Sequence, residues 1–451
     1  MNQKIYTFLL ILFPNFLLGA DNHIHFTLNW VIPFIGLLLS IAIVPLINEH
    51  FWHKNFGKIS AFWASLFSIP FITVYSSETL YYYTHAIILE YIPFIVLLFA
   101  LFTISGGIVI RGNFVGTPRF NLSILVIGTL LASWMGTTGA AMLLIRPLIR
   151  ANQFRVNKTH IIIFFIFLVA NIGGSLTPLG DPPLFIGFLK GIDFFWTTKN
   201  MFLPMIFISL VLLILFYFIE NYYYNKESKS DKSNSEINFS IEGKFNFILL
   251  LGVIISVIFS GFYKDYLGYI NIFNNEVKIS FLLRDFMILL FGYLSYRLTD
   301  YSLRKDNGFS WFPIQEVGKL FAGIFVTVIP AISILGNYKS DFQQLSNISY
   351  FWLTGLLSGF LDNAPTYLVF FTSTGKSPEI LMDASMLTLL AISSGAVFMG
   401  ALTYIGNAPN FMVRSIAEEN KIKMPSFFGF MAWSIPILIP IFLIYSYFIF
   451  G

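Results

Sequence analysis

Two acidic residues stand where acidic residues are costly. Asp181 lies in "GGSLTPLGDPPLF" (Gly173 to Phe185), inside the apolar tract His160 to Leu189, and Asp362 lies in "LDNAP" (Leu361 to Pro365), inside the apolar segment 349–372. A carboxylate near the centre of a bilayer costs at least ~2.5 kcal/mol, so such residues are functional by default. One of them can bind a monovalent cation when ionised and a proton when neutral. Neutral oxygens accompany both: Ser175, Thr177 and the backbone of Gly180 before Asp181, and Asn363 and Thr366 after Asp362. A third polar knot, "GTTGA" (Gly136 to Ala140), adds Thr137 and Thr138. With no cysteine in the chain there is no thiol nucleophile, disulfide or thiolate metal site.

The stretch around Asp181 occurs twice. "GSLTPLGDPPLF" (Gly174 to Phe185) and "GALTYIGNAPNF" (Gly400 to Phe411) share G-x-L-T-x-x-G-[DN]-x-P-x-F at an offset of 226. Thr403, Gly406 and Asn407 thus stand where Thr177, Gly180 and Asp181 stand. Thr137-Thr138 fall opposite Asp362-Asn363 at 225, nearly the same offset. Glycine permits unwound backbone, and proline removes a donor and breaks a helix. In hydrocarbon such backbone is tolerated only where it is packed in protein or lines a wet cavity. Each copy therefore predicts a membrane helix broken at a binding site, with unwound carbonyls suited to a cation and half-helix N-termini to an anion.

The elements that must carry these residues follow from composition. The chain has 451 residues, 56% hydrophobic and only 11% charged, where soluble domains carry about 25%. Apolar tracts recur from end to end, as in a polytopic helical membrane protein. The net charge of +4 is scattered, which excludes a nucleic-acid partner. Full crossings are expected at 28–47, 61–76, 87–110, 160–190, 203–219, 245–262, 280–296, 317–335, 383–413 and 427–450. Residues 1–20 fit a signal peptide or a first transmembrane helix. Residues 220–244, rich in Ser, Lys and Glu, read as a flexible cytoplasmic linker between a first repeat at 28–219 and a second at 245–450.

Charge decides whether segments 121–149 and 349–372 cross or turn back. If both turn back, inside loops carry eighteen Lys and Arg and outside loops six; if both cross, the split is nearly even. Both are read as re-entrant hairpins. Five crossings then separate them, and an odd number inverts the second half. The expected fold is an all-α polytopic membrane protein of two inverted repeats, each with a hairpin and a broken helix at 160–190 or 383–413.

"SWMGTTGAAMLLIRPLIRAN", "ANIGGSLTPLGDPPLFIGFLKG", "SGFLDNAPTYLVFF" and "GNAPNFMV" resemble the ion transporter superfamily, nearest to its bacterial NhaD-like sodium:proton antiporters and CitMHS-like citrate transporters. The resemblance covers nearly the whole chain after residue 28. It implies a homodimer working by an elevator motion in the bacterial inner membrane, in contact with lipid. The dicarboxylate-carrying branch has Ser-Asn-Thr at each hairpin tip. Here the tips read Gly-Thr-Thr-Gly and Leu-Asp-Asn-Ala-Pro, which weakens a dicarboxylate assignment.

The expected function is therefore exchange of Na⁺ or another monovalent cation for protons. Na⁺ is expected at Thr137, Asp181, Asp362 and Asn407, with the two aspartates meeting in one site, no cofactor beyond the transported Na⁺ and H⁺, and no enzymatic activity. The alternative is coupled uptake of citrate or a dicarboxylate. A more distant one, an intramembrane aspartyl protease, leaves the second copy with Asn407 without a use. Bland roles compete at each residue. Asp181, Asn407 and Asp362 are good N-caps, Thr177 and Thr403 are candidates for local back-bonding, and Arg146 is expected to snorkel to the inner interface. His160, Glu90, Arg284 and Asp285 are expected to be structural. The topology is testable in this cysteine-free chain. Ser230→Cys and Asn307→Cys should label only from the cytoplasm, and Lys264→Cys and Lys339→Cys only from outside. Labelling at position 230 from outside would refute the inverted arrangement.

Overall fold

The computed structural model describes residues 26–76, 78–227, 239–337, 342 and 344–451. The signal peptide or first helix at 1–20 lies outside them. Two helices, α1 (Ile32–Ile47) and α2 (Glu49–Val74), precede a long span, α3 (Thr79–Ser105). Within α3 the turn His85–Tyr91 is π-helical. Pro93 follows directly and cannot donate to the carbonyl four residues back, which favours a widened turn there.

The first hairpin comprises α4 (Pro118–Met135) and α5 (Thr137–Ala151), which pack on one another around Gly136. The first broken helix follows as α6 (Thr159–Leu168), a 3₁₀ turn at Ile172–Leu176, and α7 (Pro182–Leu189). Next come α8 (Phe194–Asn225), α9 (Phe245–Phe262), α10 (Ile279–Leu298), the short α11 (Tyr301–Asp306), and α12 (Phe312–Thr327) with α13 (Ile329–Asn337). The last two form one span bent by 43° just before Pro330. The second hairpin is α14 (Asn347–Leu361) with α15 (Asn363–Ser373). A short α16 (Pro378–Met382) leads to the second broken helix, made of α17 (Met386–Met399), a 3₁₀ turn at Gly400–Leu402 and α18 (Ala408–Glu419). The chain closes on α19 (Phe427–Phe450).

Among the described residues nine helices are long and apolar enough to cross a membrane, or ten if the bent pair counts as one span. The protein is an almost entirely helical, multi-pass membrane protein. Several expected boundaries move, among them 87–110, which runs instead over Thr79–Ser105. The 61–76 and 203–219 crossings belong to longer helices, Glu49–Val74 and Phe194–Asn225. The linker is also more ordered at its ends than its composition suggests. Its first residues continue α8, and Ser240–Glu242 pairs antiparallel with Val109–Arg111.

The interrupted helices are the most enclosed elements. The span containing α6 is 94% buried, against 28% for α10 and for α19. Lipid-facing side chains such as Leu203, Phe286 and Phe448 are exposed on the outer helices. The broken helices and the second hairpin arms, α5 and α15, thus form the interior, as unwound backbone requires, while the first arms, α4 and α14, also expose apolar side chains such as Leu130 and Leu356.

A buried ionic cluster ties one end of the first hairpin and first broken helix to α8. Glu220 accepts from Arg155 Nη1 (2.7 Å) and Asn121 Nδ2 (2.8 Å), and His160 Nε2 lies 2.6 Å from its other oxygen. Arg155 also bonds Glu227 (2.6 Å). His160 is structural, as expected. At the far end of α7, Lys190 pairs with Glu90 of the π-helical turn. Breaking a buried pair by removing one partner typically costs 3–5 kcal/mol. Glu220→Ala, which takes the acceptor from His160 and leaves Arg155 with Glu227 as its remaining carboxylate, is expected to cost about that much. It should lower the thermal unfolding midpoint in detergent clearly more than Glu418→Ala at the exposed Arg414 pair; equal effects would deny the cluster this role.

Candidate ion-binding site

The two hairpin tips have one backbone shape. Gly136 sits at φ 80°, ψ 148°, and Asp362 at φ 84°, ψ 138°. These residues are 226 apart, the offset of the broken-helix motif. Gly136, rather than Thr137, is therefore the counterpart of Asp362, and Thr137 the counterpart of Asn363. The offset of 225 matched the tips by polarity and slipped by one residue. The breaks repeat as closely: Thr177 and Thr403 are extended at ψ 160° and 170°, and Asp181 and Asn407 at ψ 142° and 137°.

Neither Asp181 nor Asn407 caps its own helix with its side chain. The Asp181 carboxylate, 1% exposed, is instead held by three other elements. Asn407 Nδ2 donates to Oδ1 at 2.8 Å, Thr137 Oγ1 to the same oxygen at 3.2 Å, and Asn363 Nδ2 to Oδ2 at 2.6 Å. All four interrupted elements meet here, with matched residues in contact across the repeat. The amide orientation follows from charge, since an amide oxygen turned to a carboxylate would repel it. Among the described residues no Lys, Arg or His pairs with Asp181, and no group of three His, Asp or Glu side chains is placed to hold a metal. One carboxylate among neutral groups is a donor set for a proton or a monovalent cation. Asn363 Oδ1 is buried and has no donor among the described residues, so its oxygen is free for a ligand.

The other expected residues divide. Thr177 and Thr403 join each break to its hairpin: their hydroxyls donate to Ser133 O and Gly359 O and accept from the N–H of Leu179 and Ile405. Gly180 and Gly406 let the unwound chain fold on itself. A β-carbon on either would lie 2.1 or 2.5 Å from the carbonyl oxygen of Gly174 or Gly400. The Gly180 carbonyl also accepts from Thr137 N–H at 2.8 Å. Ser175 Oγ is buried without a partner among the described residues. Thr138 lines a small cavity of about 70 Å³ together with Thr137 and Asp181.

Asp362 is placed differently. Its carboxylate accepts from Ala364 N–H (3.1 Å), so the capping role is real, and its carbonyl accepts from Thr366 Oγ1 (2.7 Å). It lines a second cavity of about 510 Å³ that runs from exposed Glu418 and Glu419 inward to Asn407. The two aspartates therefore do not form one carboxylate pair. Among the described residues no hydrogen bond joins them, and Asn363 and Asn407 stand as the links.

Two residues were missed. Asn171 Nδ2 donates to Ile166 O (2.8 Å) and to Asn410 Oδ1 (2.7 Å), and Asn171 Oδ1 lies 3.3 Å from Asn407 Nδ2. Asn410 in turn donates to the carbonyls of Gly400 (2.8 Å) and Thr403 (2.9 Å). Their signal was available: both are amides inside apolar, proline- and glycine-broken tracts. Arg146 combines the expected reach toward the rim with one enclosed nitrogen. It is half-buried on the wall of the larger cavity, which reaches exposed Glu418 and Glu419, while its Nη1 is buried.

A family model described as "Putative citrate transport" matches residues 23–450. The chain belongs to this family. Transport is thus the shared function, and the citrate-transporter side of the sequence resemblance is borne out. No curated protein matches the chain.

Asp362 holds a backbone conformation that favours glycine, and its counterpart is a glycine. A non-glycine residue there costs of order 1–3 kcal/mol, whereas exchanging a cap for glycine loses only a few tenths. Asp362→Gly should therefore unfold at a midpoint equal to or above the wild type while transport falls. A lower midpoint would mean that the carboxylate is kept for stability.

Proposed function

We propose that this protein is a secondary active transporter that exchanges a monovalent cation, Na⁺ foremost, for protons at Asp181. One observation carries this: a buried carboxylate with three neutral donors and no cationic side chain paired to it among the described residues. Burying a charge without a partner is very costly, so such a group is neutral or brings in a counter-ion. Proton and cation then compete for the same oxygens, and that competition is the coupling. With a cation bound, Thr137 offers its hydroxyl, and Asn363 and Asn407 can turn their amide oxygens inward. Asp362, one residue from Asn363, adds a second carboxylate on the path from the larger cavity. The transported ions are the cargo; the scheme calls for no cofactor.

The matched tips and breaks at one offset, the five passes between the hairpins, and the Asp181–Asn407 contact support inverted repeats that alternate access about a fixed site. The charge distribution supports placing the mouth of the larger cavity, beside Gly308, Glu418 and Glu419, on the cytoplasmic side. The bacterial inner membrane and a homodimer follow from the resemblance.

Coupled uptake of an organic anion such as citrate is the second reading. It is favoured by the family's description and by a cavity of about 510 Å³, within the usual range for small-molecule sites. The aspartyl protease has less support. A catalytic dyad needs two carboxylates sharing a proton, whereas these two are held by different partners.

Asp181→Asn keeps shape and hydrogen-bonding reach but removes the charge. In liposomes with a pH-sensitive dye, this variant should lose Na⁺-driven proton movement while yielding folded protein in normal amount. Full exchange activity would overturn the proposal and leave organic-anion uptake ahead.

A further inference from the structure

The larger cavity holds a charge that ion exchange at Asp181 does not use. Arg146, on α5 past the first hairpin tip, lines it, and its guanidinium lies against the Gly308 backbone so closely that a β-carbon there would fall 2.3 Å from Nη2. Nη1 is buried and donates to nothing among the described residues. The carboxylates of the same cavity are engaged elsewhere or lie at the rim. Glu316 accepts from Trp52 Nε1 (2.9 Å), Glu418 pairs with Arg414 (3.0 Å), Glu419 is exposed, and Asp362 caps α15. Arg146 is half-buried and Glu419 is near enough to act on its charge, but the buried Nη1 lacks an acceptor, which is destabilising until one reaches it.

The rest of the wall sets the shape of that acceptor. Phe102, Met142, Phe321 and Phe411 make it largely apolar and aromatic, with Trp52 and Tyr404 beside them. The charge balance sets its valence. One guanidinium, with His53 near the wall, faces four carboxylates, so a free tricarboxylate would bring repulsion at every end but one. A single carboxylate on an apolar body satisfies Arg146 and leaves its uncharged end toward Asn407 and Asp362.

We propose that this cavity is a binding site for an organic monocarboxylate with an apolar or aromatic body, held by Arg146. The site is separate from Asp181 but touches it through Asn407, which lines the cavity and donates to the Asp181 carboxylate. Occupancy of the cavity and of the ion site thus share one side chain. The inference goes beyond cation exchange, and it narrows the organic-anion reading away from citrate.

Calorimetric titration of the full-length protein in detergent tests it, with phenylacetate, the neutral analogue 2-phenylethanol, and citrate as probes. Phenylacetate should bind more tightly than both others. Arg146→Gln should weaken phenylacetate about tenfold or more, the usual effect of losing a hydrogen bond to a charged group, and leave 2-phenylethanol unchanged. Arg146→Lys, which keeps the charge but not the planar fork, should fall between. The wild-type comparison of phenylacetate with 2-phenylethanol stands even if a variant folds poorly. Citrate binding more tightly than phenylacetate, equal binding of the two phenyl compounds, or unchanged phenylacetate affinity in a folded Arg146→Gln protein would each overturn the assignment. Failure here with Asp181-dependent proton movement intact removes this site alone; loss of the Asp181 effect with phenylacetate binding intact removes cation exchange alone.

Discussion

The structure turns on a carboxylate held by neutral groups. Asp181 belongs to the first broken helix, and its three donors belong to the first hairpin, the second hairpin and the second broken helix. Hydrogen bonds to an ionised acceptor are roughly twice as strong as neutral ones, so the ionised carboxylate draws all four elements together. Protonation turns one oxygen from acceptor to donor. A proton on Oδ1 can be accepted by the Thr137 hydroxyl once it rotates, whereas a proton on Oδ2 faces the Asn363 N–H, and that amide must then turn or withdraw. A change of charge at one atom is thereby a change of contact between elements that are distant in sequence, which is what coupling an ion to a motion requires.

Such a junction is only tenable because the broken backbone around it is satisfied. Two helices stop and restart in an interior where each unpaired N–H or C=O would cost several kcal/mol. Side chains replace the lost helical bonds. Asn410 takes the carbonyls of Gly400 and Thr403, Asn171 that of Ile166, and Thr177 and Thr403 those of Ser133 and Gly359. Gly180 and Gly406 let the unwound chain approach Gly174 and Gly400 at distances no side chain allows. The breaks are therefore packed parts of the core, each tied by hydrogen bonds to the hairpin before it.

Most of this framework was legible in the sequence because its causes are local. Proline and glycine inside apolar tracts located both breaks, and lysine and arginine in the loops favoured turning hairpins over crossings. Many ends fell within a few residues, but helices that run past their most apolar stretch were cut short, as in α2, α3 and α8. The contacts of Asp181 were not legible. Asp before Pro-Pro is a strong capping pattern, and only the tertiary arrangement shows that its carboxylate turns away from its own helix. The slip of one residue at the tips has the same root: polarity aligned Thr137 with Asp362, whereas backbone conformation aligns Gly136. The enclosure of Arg146 Nη1 was not legible either, because the Gly308 loop that closes over one side of the guanidinium is distant in sequence.

The matched tips and breaks share a backbone conformation but not a charge, and the differences are informative. At the break the pair is Asp181 and Asn407, whose side chains touch at 2.8 Å. Two aspartates at that distance could not both ionise, as in a proton-sharing dyad, and the site would be locked with one proton. Two asparagines would bind neither proton nor cation with any selectivity. One of each leaves a single titratable charge with a built-in donor. At the tips the pair is Gly136 and Asp362, in a conformation that suits the glycine and strains the aspartate. There the asymmetry puts a carboxylate on the larger cavity and none at the matching point of the first hairpin. The matched tips and breaks share one backbone shape, and these substitutions within it leave one fully buried carboxylate at the break and a second at the wall of the larger cavity.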